Sequence, residues 1–118
     1  MNVAMIRGTL SSEPRERELA SGSLLVQWEV TTDGEPRHSV PVVWFDPPTS
    51  VRGLAAGTEV VVSGVIRRRF YRAGAATLSR TEVVADRGTR AGRRRAVAKI
   101  ADAVIALVDA AASDGPGC

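Results

Sequence analysis

The chain has 118 residues, is 44% hydrophobic and 25% charged, and carries a formal net charge of +3. It has enough apolar side chain for one folded domain and too little length for a two-domain enzyme. The single cysteine, Cys118, excludes an intramolecular disulfide, and one histidine, His38, cannot assemble a His/Cys zinc cluster.

Residues 2–10 read as a short strand, in which Gly8 predicts a bulge or a close backbone approach. Ser11-Ser12-Glu13-Pro14 breaks it. After a turn at Ser21-Gly22, Leu24, Val26, Trp28 and Val30 alternate with Gln27 and Glu29, the pattern of a half-buried strand. Asp33-Gly34 predicts a hairpin turn into a third strand with Val40, Val42 and Trp44 on one face. Pro41 has no N–H to donate, so this strand is expected at an edge or interrupted there. Trp28 and Trp44 fall on the buried parity and are expected in the core, with His38 at the surface. Residues 49–56 leave room for one or two helical turns at most. Residues 58–66 are apolar on both faces and predict a central strand. The segment continues through Arg72, turns at Ala73-Gly74-Ala75 and returns over residues 77–85. Five short strands separated by regular turns indicate a small barrel or sandwich.

The period changes near the end. Val97, Ala101, Val104, Val108 and Ala111 recur at alternating spacings of four and three, widened by Ile100, Ile105 and Leu107, which predicts an amphipathic helix of about 20 residues. Lys99, Asp102 and Asp109 interrupt its apolar character, which argues against a membrane span. The helix is expected to stop at Ser113-Asp114-Gly115-Pro116-Gly117. Residues 1–88 thus form the strand domain, and residues 89–118 form a basic linker, helix and tail. The first residues lack the basic-then-apolar pattern of a signal peptide, so a cytoplasmic protein is expected.

Charge is unevenly spread. Residues 1–66 sum to −3, residues 67–95 to +8 and residues 96–118 to −2. A basic segment inside a mildly acidic chain raises the local potential and favours polyanions. Arg93, Arg94 and Arg95 stand at the helix start, where the helix dipole favours acids, so a nearby anion would relieve them. No phosphate loop, nucleophile elbow or metal-ligand spacing is present, so neither catalysis nor a cofactor or metal is expected.

Several segments together carry a resemblance. They are Asn2-Val3 through Ile6-x-Gly8-x-Leu10, Glu13-Pro14-x-x-Arg17, Ser21-Gly22 and Val42-Val43-Trp44-Phe45. To these add Gly57-Thr58-Glu59-Val60-Val61-Val62-Ser63-Gly64-Val65-Ile66-Arg67-x-Arg69 and Thr81-Glu82-Val83-Val84-Ala85. In order and spacing over residues 2–87 the chain resembles bacterial single-stranded DNA-binding proteins, and the primosomal replication proteins of similar pattern. The resemblance implies an all-β, five-stranded Greek-key OB-fold barrel with an appended C-terminal α-helix. It also implies sequence-tolerant binding of single-stranded DNA in replication, repair or recombination, a nucleoid-associated location, and a homo-oligomer, dimer or tetramer. Two departures stand out. The loop between the second and third strands is short and acidic, with Ser39 where the family has an aromatic, and the acidic tail that recruits replication and repair proteins is missing.

A groove for unpaired bases needs aromatic platforms and cations along the phosphate chain. The resemblance aligns Tyr71 and Phe45 with base-stacking aromatics. Around Tyr71 lie Arg67, Arg68, Arg69, Phe70 and Arg72, with Arg80 across the hairpin, and Arg93 and Arg94 complete the candidate site. Strand alternation points Phe70 and Tyr71 oppositely, and Tyr71 is expected to be the exposed ring, with Phe70 covering the core. The alternative reading is a protein-interaction or oligomerisation module that uses the C-terminal helix and has little affinity for DNA.

Overall fold

The structure is a computed structural model that describes residues 1–113; the predicted stop at Asp114-Gly115-Pro116-Gly117 and Cys118 lie outside the described residues. Six strands form one sheet: β1 (Ala4–Leu10), β2 (Arg15–Glu18), β3 (Leu24–Thr31), β4 (Ser39–Phe45), β5 (Glu59–Ala73) and β6 (Ala76–Arg90). A helix, α1 (Arg94–Ser113), follows. The sheet order is β1-β5-β6-β4-β3-β2, and β1 also pairs with β3 through Thr9–Thr31 and Leu10–Val30, which bends the sheet into a partial ring. All pairings are antiparallel except β4–β6, which is parallel at Val42–Val83 and Val43–Val84.

The alternation read from the sequence sorts side chains as expected. Val26, Trp28 and Val30 of β3, Val42 and Trp44 of β4, Val60 and Val62 of β5 and Val83 of β6 are buried inside the ring. Trp28 and Trp44 meet edge to face, with centroids 5.9 Å apart and planes at 83°, a geometry worth about 0.5 to 1.5 kcal/mol beyond burial. A single 3₁₀ turn, Thr49–Val51, with Leu54 after it, plugs one end of the ring with two buried apolar side chains. Pro41 lies opposite Glu29 in a β3–β4 ladder that runs unbroken, and the β4–β6 ladder begins only at Val42, so β4 is a one-sided edge at Pro41 rather than an interrupted strand. Gly8 answers to the close approach: a Cβ there would stand 2.5 Å from the Thr31 carbonyl oxygen, where β1 crosses from β5 to β3.

The strand count is six rather than five. Residues 15–18 pair with β3 beyond the Glu13-Pro14 break, and all four are exposed. They carry no apolar residue, so hydrophobic alternation could not mark them. The connection between β3 and β4 is wider than an Asp-Gly hairpin: the Thr32 N–H donates to the His38 carbonyl at 2.8 Å across the loop, and His38 itself is exposed.

β5 and β6 are 15 residues each and outrun the ring. Their register shifts at Ser63/Gly64, where Ser63 opposes Arg87 and Gly64 opposes Ala85, leaving Asp86 as an extra residue whose carboxylate accepts from Ser63 Oγ at 3.1 Å. Beyond this bulge the ribbon runs to Gly74, at φ 63° in the tip turn. Asn2 ties the ribbon to the N-terminus: its Nδ2 donates to the Ile66 carbonyl at 2.7 Å, and the Ile66 N–H donates to Asn2 Oδ1 at 2.9 Å.

The helix packs at the opposite end of the ribbon, where Val97 and Ile100 meet Val61 and Ala91. From Ile105 onward it overhangs the ring, and Ile105, Leu107 and Val108 are 56%, 47% and 42% exposed. No helix of the described residues is long and apolar enough to cross a membrane.

Candidate nucleic-acid interface

Cross-strand pairing decides which basic side chains share a face. Along the ribbon, Arg67 opposes Glu82, Arg69 opposes Arg80 and Tyr71 opposes Leu78, so these six project to the side of the sheet turned away from the ring's interior. The same outer face continues over Val43 and Phe45 of β4, Leu25 and Gln27 of β3, and Arg15 and Arg17 of β2, which oppose Gln27 and Leu25. From β2 to β5 this is five strands, roughly 19 Å across at the usual strand spacing.

Two concavities mark the face and share Gln27. One, of about 350 Å³, lies among Arg17, Phe45, Arg67, Arg69 and Glu82. The other, of about 190 Å³, lies among Ser12, Arg15, Glu29 and Arg80. Five guanidinium groups thus line one continuous trough.

At its centre stands a buried carboxylate. The Glu82 side chain has no exposed surface, and it receives Arg67 Nη2 on one oxygen at 2.8 Å and Arg69 Nε on the other at 3.2 Å, while both arginines stay half-exposed. Each guanidinium also stands over a ring: Arg67 over Phe45 at 6.0 Å and Arg69 over Tyr71 at 5.5 Å. These are cation–π distances. Arg67 Nε is buried and has no hydrogen-bond partner among the described residues. Arg80 approaches Glu29 at 3.8 Å. Phe45 is fixed from behind by Asp46, which adopts φ 50° and exchanges hydrogen bonds of 2.8 Å with the Leu24 backbone. The Leu24 N–H, then Ser23, hold the Asp46 carboxyl below its ordinary pKa.

The candidate residues therefore divide into three groups. Phe45, Arg67, Arg69, Tyr71 and Arg80 share the outer face. Arg68, Phe70 and Arg72 point to the opposite side of the ribbon, where Arg68 donates to Ser79 Oγ at 3.2 Å and stands 5.6 Å over the Phe70 ring. Arg93 and Arg94 sit at the start of α1, beside Ala91 and the Val61 end of β5. Val61 and Tyr71 are ten residues apart on β5, on the order of 30 Å along an extended strand, so these two arginines are not part of the trough. Phe70 does not cover the core. It is 66% exposed against 38% for Tyr71, because the ribbon has left the ring by that point and neither of its sides faces the interior.

Arg15, Arg17, Gln27 and Glu82 belong to the face although sequence reasoning did not select them. The alternation Arg15-Glu16-Arg17-Glu18 was the available signal, since it sends both cations to one side of a strand. α1 leaves the face open: Phe45 and Tyr71 are exposed, and the buried cluster beneath the helix is formed with Val61 and Ala91. Among the described residues no cluster of three or more His, Cys, Asp or Glu side chains could hold a metal ion. The chain matches no protein-family model and no curated protein.

Proposed function

We propose that the chain is an OB-fold protein that binds single-stranded DNA without sequence preference, on the outer face and along the β5–β6 ribbon. The barrel reading is supported by the ring order, the single parallel pairing between β4 and β6, and the turn that plugs one end. The binding reading rests on one observation: Phe45 and Tyr71 stand exposed within a trough lined by Arg15, Arg17, Arg67, Arg69 and Arg80. Unpaired bases offer π-faces to the rings, and guanidinium groups neutralise the phosphates between them. A duplex hides those faces, so the site favours single strands. Sequence tolerance follows because every base has a π-face to stack.

The test is fluorescence anisotropy of labelled oligo-dT against duplex DNA and RNA of equal length, in a salt series. The expected outcome is preference for the single strand, with log affinity falling against log salt at a slope no steeper than about −3.5, the limit for five neutralised phosphates. Binding that is absent at low salt removes the proposal. A role in replication, repair or recombination, near the nucleoid, is the setting in which such an activity would serve.

A second reading concerns α1. Its overhanging Ile105, Leu107 and Val108 are exposed apolar side chains on one helix, and they favour self-association of the chain into a dimer or tetramer. This does not compete with DNA binding, because it uses the other end of the ribbon.

A further inference from the structure

An acid at the centre of an anion-binding trough needs a reason. Glu82 reduces the charge of the Arg67–Arg69 pair from +2 to +1, and its side chain is wholly buried beneath them. If charge alone decided affinity, this position would be better occupied by a neutral residue. Yet the carboxylate engages a different nitrogen type on each arginine, Nη2 of Arg67 and Nε of Arg69, and each guanidinium so held stands over an aromatic ring, Phe45 for one and Tyr71 for the other. One buried group orders two ring–guanidinium pairs.

We propose that Glu82 is a positioning residue that holds Arg67 and Arg69 over Phe45 and Tyr71, so that bases of a single strand stack on two preformed composite platforms. This rests on the nucleic-acid reading above. Bases stack on guanidinium planes as well as on rings, and a side chain already immobilised loses less freedom when ligand arrives. Arg15, Arg17 and Arg80 are left to neutralise phosphates, while Arg67 and Arg69 act mainly through their planar surfaces. The choice of arginine follows, since lysine has no plane to present.

The sign of one substitution separates positioning from plain charge. In the full chain, Glu82→Gln keeps the shape of the side chain, removes its negative charge and leaves a single acceptor oxygen, so at least one of the two guanidinium groups is released. Anisotropy with labelled oligo-dT across a salt series is expected to give about tenfold weaker binding at high salt, the order of one lost base stack. The salt slope is expected to steepen by up to about 0.7, because a released guanidinium can neutralise a further phosphate. A purely structural role would not steepen the slope. Affinity equal to or tighter than wild type, in a protein with unchanged circular dichroism, overturns the proposal.

Should Glu82→Gln fail to fold, the double variant Arg67→Lys with Arg69→Lys carries the test, because both side chains are half-exposed and their charge is kept. It is expected to weaken binding about tenfold at an unchanged salt slope, and retained affinity overturns the proposal. Absence of oligo-dT binding by the wild-type chain removes the nucleic-acid reading itself, before any variant is compared.

Discussion

Tyr71 and Phe70 are adjacent in the chain and opposite in space, which makes them a matched pair for testing the trough. Tyr71 shares its face with Arg69 and Phe45, whereas Phe70 stands with Arg68 on the reverse of the ribbon. Tyr71→Ala is expected to weaken oligo-dT binding by about 1 to 3 kcal/mol, the worth of a stacked base, with the melting temperature unchanged because the ring packs on no core residue. Phe70→Ala is expected to leave affinity for a short oligonucleotide within twofold. Anisotropy on both variants checks this, and equal losses would mean that the strand contacts both sides of the ribbon. Phe45 and Tyr71 were legible through the resemblance and Arg80 through its place across the hairpin, and all three share one face in the structure. Glu82 was not legible as a site residue, because one of two acids among ten arginines reads as a charge to be subtracted; what sets it apart is burial, which composition does not carry.

At the scale of elements, the strands of the ring were legible because their apolar residues alternate or fill both faces, as in β3 and β5. β2 was not, since Arg15-Glu16-Arg17-Glu18 has nothing to bury and is a strand only because β3 offers it an edge. The departure of the ribbon from the ring was also hidden: Val65 and Ile66 look like core continuing, but the bulge at Ser63/Gly64 turns the strands outward and leaves both exposed. Gly64 permits that bulge. A Cβ at this position would run into the Val84 carbonyl group, which is backbone and cannot swing aside. Gly64→Ala is therefore expected to cost about 3 kcal/mol, the upper part of the usual overpacking range. The corresponding drop in Tm is about 12 to 24 °C, measurable by circular dichroism melting. An unchanged Tm would show that the bulge can relocate without loss.

For the molecule as a whole, the trough and the helix lie at opposite ends of one long hairpin. The amphipathic period announced the helix, and its span of 20 residues matches the expectation. What the period could not say is how much of the stripe the sheet would cover, since the apolar pattern is the same where α1 packs on Val61 and where it overhangs. Ile105→Asp with Leu107→Asp removes apolar surface only from the overhanging part. This double variant is expected to shift the sedimentation mass from dimer or tetramer to monomer while affinity for a short oligonucleotide stays within twofold. A wild-type chain that sediments as a monomer at high concentration would end the self-association reading and leave the trough untouched.

The outermost strand, β2, has one side of its backbone ladder open, and such an edge invites a strand of another molecule to join it. Here the invitation is withdrawn by its composition. Arg15 and Arg17 face the trough and Glu16 and Glu18 face away, so a newcomer adding itself to that edge would have to lay its own side chains against a row of cations on one side and of anions on the other. The rim of the proposed trough is thus also a border that opposes the fusing of neighbouring copies into a continuous sheet.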